Sequence, residues 1–263
     1  MSSRTGNRLT DNAFTADDGR KLIERAILDV GTRFGWRQVD QSALFYGVYY
    51  DSTKVGSFIT RITNEQAQCA VLKIQLRRLP FDEGFIMMHV QSQIKTDRVR
   101  LPRIILDAAW SEERGYGYLI LEDLSQLPHL WATRPDEAAF ARHKDFLTEF
   151  MHHVLPITPY LPMPNVTLRE KYIESFDHFH AIAEASAHHH IDFIEIEKMK
   201  EKYFAALDVM TFDGFHFTHG HLSGHEIVED RTTDSFVLFA NLLWSFRPAF
   251  YELTFPLWVD LMG

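Results

Sequence analysis

The densest run of reactive side chains is Phe217-Thr218-His219-Gly220-His221-Leu222-Ser223-Gly224-His225-Glu226-Ile227-Val228. An imidazole can accept a proton from a hydroxyl, which makes His221 a candidate base. With His216 just upstream, His219, His221, His225 and Glu226 also supply the imidazole and carboxylate donors that zinc or another transition metal uses. A different chemistry is suggested by Val71-Leu72-Lys73-Ile74. A lysine among aliphatic residues in a buried strand needs an anion or carboxylate at its ammonium, and Glu83 is the natural partner. A third feature is the apolar run from Gly117, which ends in the acidic connector Leu121-Glu122-Asp123-Leu124.

Other reactive residues lack partners in the sequence. Ser223 sits off the centre of any Gly-x-Ser-x-Gly elbow, since Gly220 and Gly224 are spaced around His221-Leu222-Ser223. Cys69 has no evident base beside it and is expected to be inert; as the single cysteine it excludes an intrachain disulfide. His188, His189 and His190 fall at a helix end, where adjacent residues fan out by about 100° and form no chelating face.

These residues sit in a chain of 263, with 27 basic and 36 acidic side chains and a formal charge of −9. That balance disfavours nucleic acid or anionic lipid as partner. Hydrophobic residues at 46% and charged residues at 24% match a globular protein with a sizeable core. The polar start through Asp18 lacks the order of a secretory signal, and no window reaches the roughly 18 apolar residues of a membrane span. The expectation is a cytoplasmic protein without a membrane segment.

The elements that must position the reactive residues follow from periodicity. A helix is predicted from Thr15, with Leu22, Ile23, Ala26, Ile27 and Val30 at helical spacing until Gly31 and Gly35. Three antiparallel strands are predicted over 45–50, 57–62 and 70–74, broken at 51–54 and 63–66. A helix opening near Pro80 carries Phe85, Ile86, Met88, His89, Val90 and Ile94, and strands follow over 101–110 and 116–121. Beyond Leu124 the pattern is helical over 137–154, 168–190 and 194–209, before a strand-like return over 228–243. Sheet-rich then helix-rich order predicts an α+β protein of two lobes. The divisions are a leader and helix at 1–34, a sheet lobe with connector at 35–124, and a helical lobe at 125–263.

Taken together, Lys73, Glu83, the connector and the histidine loop resemble the aminoglycoside phosphotransferase and choline kinase-like family, across about Phe45 to Leu253. That family's catalytic loop reads approximately His-Gly-Asp-Leu-x-x-x-Asn-Ile, matched here by His219, Gly220, Leu222 and Ile227. The resemblance implies a two-lobed protein-kinase-like fold. Within it, Lys73 and Glu83 would hold the phosphates of ATP, and Leu121, Glu122 and Leu124 would form the hinge that binds adenine. His219 and Gly220 would have structural roles in the loop.

Three departures fall on the chemistry. His221 stands in the place of the catalytic aspartate, and Glu226 in that of the metal-binding asparagine. The magnesium aspartate falls on Ala240 or Asn241, depending on one gap, and neither is a carboxylate. Phe250-Tyr251-Glu252-Leu253 resembles the family's later Tyr-Asp-Leu motif, after which this sequence runs 11 residues past Glu252.

The expectation is therefore a kinase-like pseudoenzyme that binds a nucleotide, small molecule or protein without efficient phosphoryl transfer. Its cofactor expectation is ATP, with magnesium poorly supported. One alternative is an active ATP-dependent phosphotransferase with His221 as base and Glu226 and Asn241 for metal. Another is a metal protein using the 216–225 loop. The aromatic tail Phe250, Tyr251, Phe255, Leu257 and Trp258 suggests a protein partner or homodimer contact.

Overall fold

The computed structural model describes residues 14–39, 44–48, 51–79, 81–130, 137–167, 169–174, 176–177, 198, 200–206, 215–247 and 251–252. Outside these lie most of the helices expected over 168–190 and 194–209, the histidines at 188–190, and the tail residues Phe250, Phe255, Leu257 and Trp258. No described helix is long and apolar enough to cross a membrane.

The first lobe is a twisted sheet built on β1 (Phe14–Thr15), β2 (Arg37–Gln38), β3 (Leu44–Val48), β4 (Asp51–Thr63), β5 (Cys69–Gln75), β7 (Ile104–Ser111) and β8 (Tyr116–Glu122), with main order β1-β4-β5-β8-β7. Period-two alternation divides its residues between two faces. Ala70, Leu72 and Ile74 of β5 are buried with Phe58 and Ile62 of β4 against Ile23, Ala26 and Val30 of α1 (Ala16–Phe34). The alternate residues Val71 and Lys73 face the other way, toward the second lobe, and the register Ile59↔Lys73↔Leu119 sets Lys73 at the centre of that face.

Helix α2 (Glu83–Gln91) belongs to both lobes. Its Ile86, Met87 and Val90 pack in one core with Phe146, Phe150, Phe217, Leu222, Phe236 and Trp244. The chain then runs through β6 (Val99–Arg100), which pairs in parallel with β11 (Ser235–Leu238). The second lobe adds α3 (Glu137–Glu149), continued by a π-turn over Phe150–Val154, then β9 (His216–Thr218), β10 (Ile227–Asp230), a 3-10 turn at Asn241–Leu243 and β12 (Ser245–Arg247). Strands β10 and β11 form a hairpin, and β12 pairs with β9.

Several boundaries differ from expectation. The break expected at 51–54 lies inside β4, because β3 pairs as far as Val48↔Asp51 through two register shifts around Gly47. The single return expected over 228–243 is a hairpin and a 3-10 turn. Asp230 Oδ1 accepts from the Thr232 N–H at 3.0 Å and its hydroxyl at 2.6 Å, and this local turn reverses the chain before β11. Helix α1 passes through Gly31 and stops at Gly35, whose φ of 70° lets its N–H close on the Gly31 carbonyl at 3.0 Å. Strands β1 and β2, two residues each, are too short to show a period.

Candidate functional site

A cavity of about 570 Å³ opens between the lobes. Ile59 and Val71 line it from the sheet; Val228 of β10 and Phe239 line it from the second lobe; Leu121, Pro102 and Leu124 complete its apolar walls. Apolar surfaces brought together from two lobes, beside a polar backbone connector, suit a flat heteroaromatic ring. Lys73, Glu83, Leu121, Glu122 and Leu124, singled out from sequence, all line this cavity.

Its charged groups are nearly all paired. Lys73 Nζ lies 2.5 Å from Glu83 Oε2, with 17% and 8% of the two side chains exposed. Glu122 takes the Arg100 guanidinium and accepts from the Arg103 N–H at 2.8 Å. Asp123 Oδ2 accepts from Arg61 Nε at 2.9 Å and Nη2 at 2.6 Å, and its Oδ1 accepts from the Ser125 N–H at 2.9 Å. Burial pushes the Asp123 carboxyl up, but the hydrogen bonds from Ser125 and Arg61 outweigh it and hold the group below the usual carboxylate range.

The histidine loop lies below. His219 is fully buried; its Nε2–H donates to the Phe239 carbonyl at 2.9 Å and its Nδ1 accepts from the His221 N–H at 3.2 Å. Those two bonds fix the tautomer, and burial pushes the imidazole down to about 3. Gly220 has φ 81°, and a Cβ there would overlap the Arg247 guanidinium. His221 Nδ1 and Glu226 Oε1 lie 3.3 Å apart, close but outside hydrogen-bond geometry. Of the two, Glu226 lines the cavity.

Two residues were candidates for the metal position, and the backbone distinguishes them. Ala240, in a left-handed conformation with φ 62°, lines the cavity. Asn241 is buried, donating through Nδ2 to the Leu238 carbonyl at 3.1 Å and accepting at Oδ1 from Trp244 Nε1–H at 3.1 Å. Its amide serves the 3-10 turn, so the expectation that Asn241 offers magnesium an oxygen does not fit this geometry. With a methyl at the remaining position, Glu226 is the one metal candidate whose carboxylate lines the cavity, and a single such ligand does not fit magnesium, which favours several hard oxygen ligands. The imidazoles of 216–225 do not assemble a site either. Among the described residues no three His, Cys, Asp or Glu side chains converge as a metal cluster.

Three solved structures share this fold. One is a spectinomycin phosphotransferase in complex with ADP and spectinomycin, at 11% identity and TM-score 0.53 over 88% of this chain and 72% of that one. Another is an aminoglycoside-3'-phosphotransferase of type VIII, at 14% and 0.53 over 92% and 84%. A third is an amicoumacin kinase in complex with AMP-PNP, Ca2+ and Ami, at 11% and 0.53 over 94% and 72%. The fold is that of the aminoglycoside phosphotransferases. At these identities the likeness speaks for the kinase-like fold alone. No family model and no curated protein matches the sequence.

Some site residues carried no sequence signal. Ile59, Val71, Val228 and Phe239 look like ordinary core residues, and only the juxtaposition of the lobes makes them walls. The Arg61–Asp123 pair joins residues 62 apart. Glu252 is buried and accepts from the Gly220 N–H and the Thr218 hydroxyl. Its place in the Tyr251-Glu252-Leu253 motif was the available clue.

Proposed function

We propose that this chain is a kinase-fold pseudoenzyme that binds an adenine-type ligand in the interlobe cavity and does not transfer phosphoryl groups efficiently. The observation that carries the reading is the contrast between Ala240, a methyl in the cavity, and the retained Lys73–Glu83 pair beside an apolar slot. Phosphoryl transfer depends on positioning and on metal neutralisation of the developing charge. The slot and connector supply ring recognition without either.

The test has two parts. Titration with adenosine and adenine nucleotides, with and without magnesium, should raise the melting temperature; a melting temperature that never moves removes the reading. Turnover of ATP should be at background in the native chain and rise in the triple variant His221→Asp, Glu226→Asn, Ala240→Asp. Aspartate tolerates the left-handed backbone at 240.

The 3.3 Å approach of His221 Nδ1 to Glu226 Oε1 favours a second reading, in which the two close into a hydrogen bond and Glu226 orients His221 as the base of a divergent phosphotransferase. That reading requires measurable turnover in the native chain and its loss in His221→Asn.

A further inference from the structure

We infer that the cavity selects an uncharged purine nucleoside, adenosine in the first instance, over its phosphorylated forms. The inference rests on the adenine-slot reading above and concerns the charged groups of the same cavity.

Among the described residues, the lining holds four carboxylates, Glu83, Glu122, Asp123 and Glu226, and two permanent cations, Arg61 and Lys73. Lys73 is closed on Glu83 at 2.5 Å and Arg61 on Asp123 at 2.6 Å. Glu122 is met by Arg100, from outside the lining. The remaining charge is Glu226. Its partner is His221, which compensates a carboxylate only when protonated.

A phosphate arriving beside Lys73 therefore shares one ammonium with Glu83 and enters a lining that also holds the Glu226 carboxylate. In a working phosphotransferase a divalent cation removes this repulsion. Here Ala240 places a methyl at the cavity wall and Asn241 is committed to Leu238 and Trp244, so magnesium gains no protein oxygen at that position.

Each added phosphate thus brings negative charge toward a lining whose surplus is already negative. An uncharged nucleoside avoids the conflict. Its ring takes the apolar slot, the connector backbone offers polar partners, and every ion pair stays closed.

Calorimetry on the full chain at low ionic strength, with adenosine, AMP and ATP in EDTA and again in magnesium, reads the prediction directly. Adenosine should bind at least about tenfold tighter than ATP, with AMP between them and the order unchanged by magnesium. Glu226→Gln should narrow the adenosine-to-ATP ratio by removing the surplus carboxylate. ATP binding as tightly as adenosine, with or without magnesium, overturns the inference and leaves the adenine-slot reading standing. A ratio unmoved by Glu226→Gln also overturns it, because the selectivity would then lie elsewhere. Failure of all three ligands to bind removes the adenine-slot reading, and the selectivity with it.

Discussion

The backbone N–H of Gly220 donates to the carboxylate of Glu252, and this contact ties the end of the described chain to the loop that carries His221. The same oxygen accepts from the Thr218 hydroxyl. Arg247, packed over Gly220, closes the assembly, with its guanidinium 5.2 Å from the Tyr251 ring centre. The loop geometry is thus held from beneath by residues outside the loop, whatever stands at 221.

Glu252→Ala should cost about 2–4 kcal/mol of stability, because it strips the acceptor from a buried N–H and a buried hydroxyl. Glu252→Gln keeps an acceptor and should cost far less. Burial raises the Glu252 carboxyl above its reference of 4.5, against the hydrogen bonds from Thr218 and Gly220. A raised carboxyl contributes stability that is present in acid and lost as pH rises through the folded value. Urea titrations from pH 4 upward should show that loss in the native chain and not in Glu252→Gln.

Two buried imidazoles act in the opposite direction. Burial pushes His219 down to about 3 and His143 down to about 4 from a reference of 6.5. Both fold neutral, so their contribution is complete above about 6.5 and is lost as pH falls toward those values. His143→Phe, on α3 beside Phe146, should remove on the order of 3 kcal/mol of the stability lost between pH 7 and pH 4. A denaturation midpoint that falls equally in both proteins across that range contradicts it.

The Lys73–Glu83 pair should behave as a unit. Lys73→Met or Glu83→Leu alone should destabilise by about 3 kcal/mol, since each leaves a largely buried group without its counter-charge. Lys73→Met with Glu83→Leu should recover most of that loss. A double-mutant cycle in urea with a coupling energy near zero would show the pair to be incidental.

This pair was also the most legible part of the site, for the same reason. A lysine between aliphatic residues of a strand announces a buried charge, and a buried charge needs a partner within reach. The connector was legible because β8 runs apolar until Leu121 and then turns acidic. The choice between Ala240 and Asn241 was not legible: one residue of register decides it, and a left-handed backbone at an alanine leaves no mark in the sequence. The hairpin within residues 228–243 did leave a mark, the polar run Glu229-Asp230-Arg231-Thr232-Thr233-Asp234-Ser235, within which the Asp230–Thr232 turn separates the four-residue strands β10 and β11.

Tyr160 offers a test of how the lobes are coupled. Its ring lies 5.0 Å from Phe81, 5.8 Å from Phe85, 5.4 Å from His89 and 5.1 Å from Phe217, between α2 and the second-lobe strand β9. Beside it the His89 Nε2 meets the Thr158 carbonyl at 2.7 Å, and Gln93 Oε1 accepts from the Thr158 N–H at 2.9 Å. Burial pushes the Tyr160 phenol up to about 12, so it stays protonated, and its hydroxyl donates to the Trp244 carbonyl at 3.3 Å. Tyr160→Phe loses only that long hydrogen bond and should cost no more than about 1 kcal/mol. Tyr160→Ala removes the ring from between four others and should cost about 2–4 kcal/mol. Because α2 also carries Glu83, the alanine variant should weaken ligand binding in the cavity, whereas the phenylalanine variant should not. Hydrogen exchange across α2 separates the two outcomes: faster exchange at Ile86 to Val90 in Tyr160→Ala marks a loosened helix, and unchanged protection with weakened binding would place the coupling elsewhere.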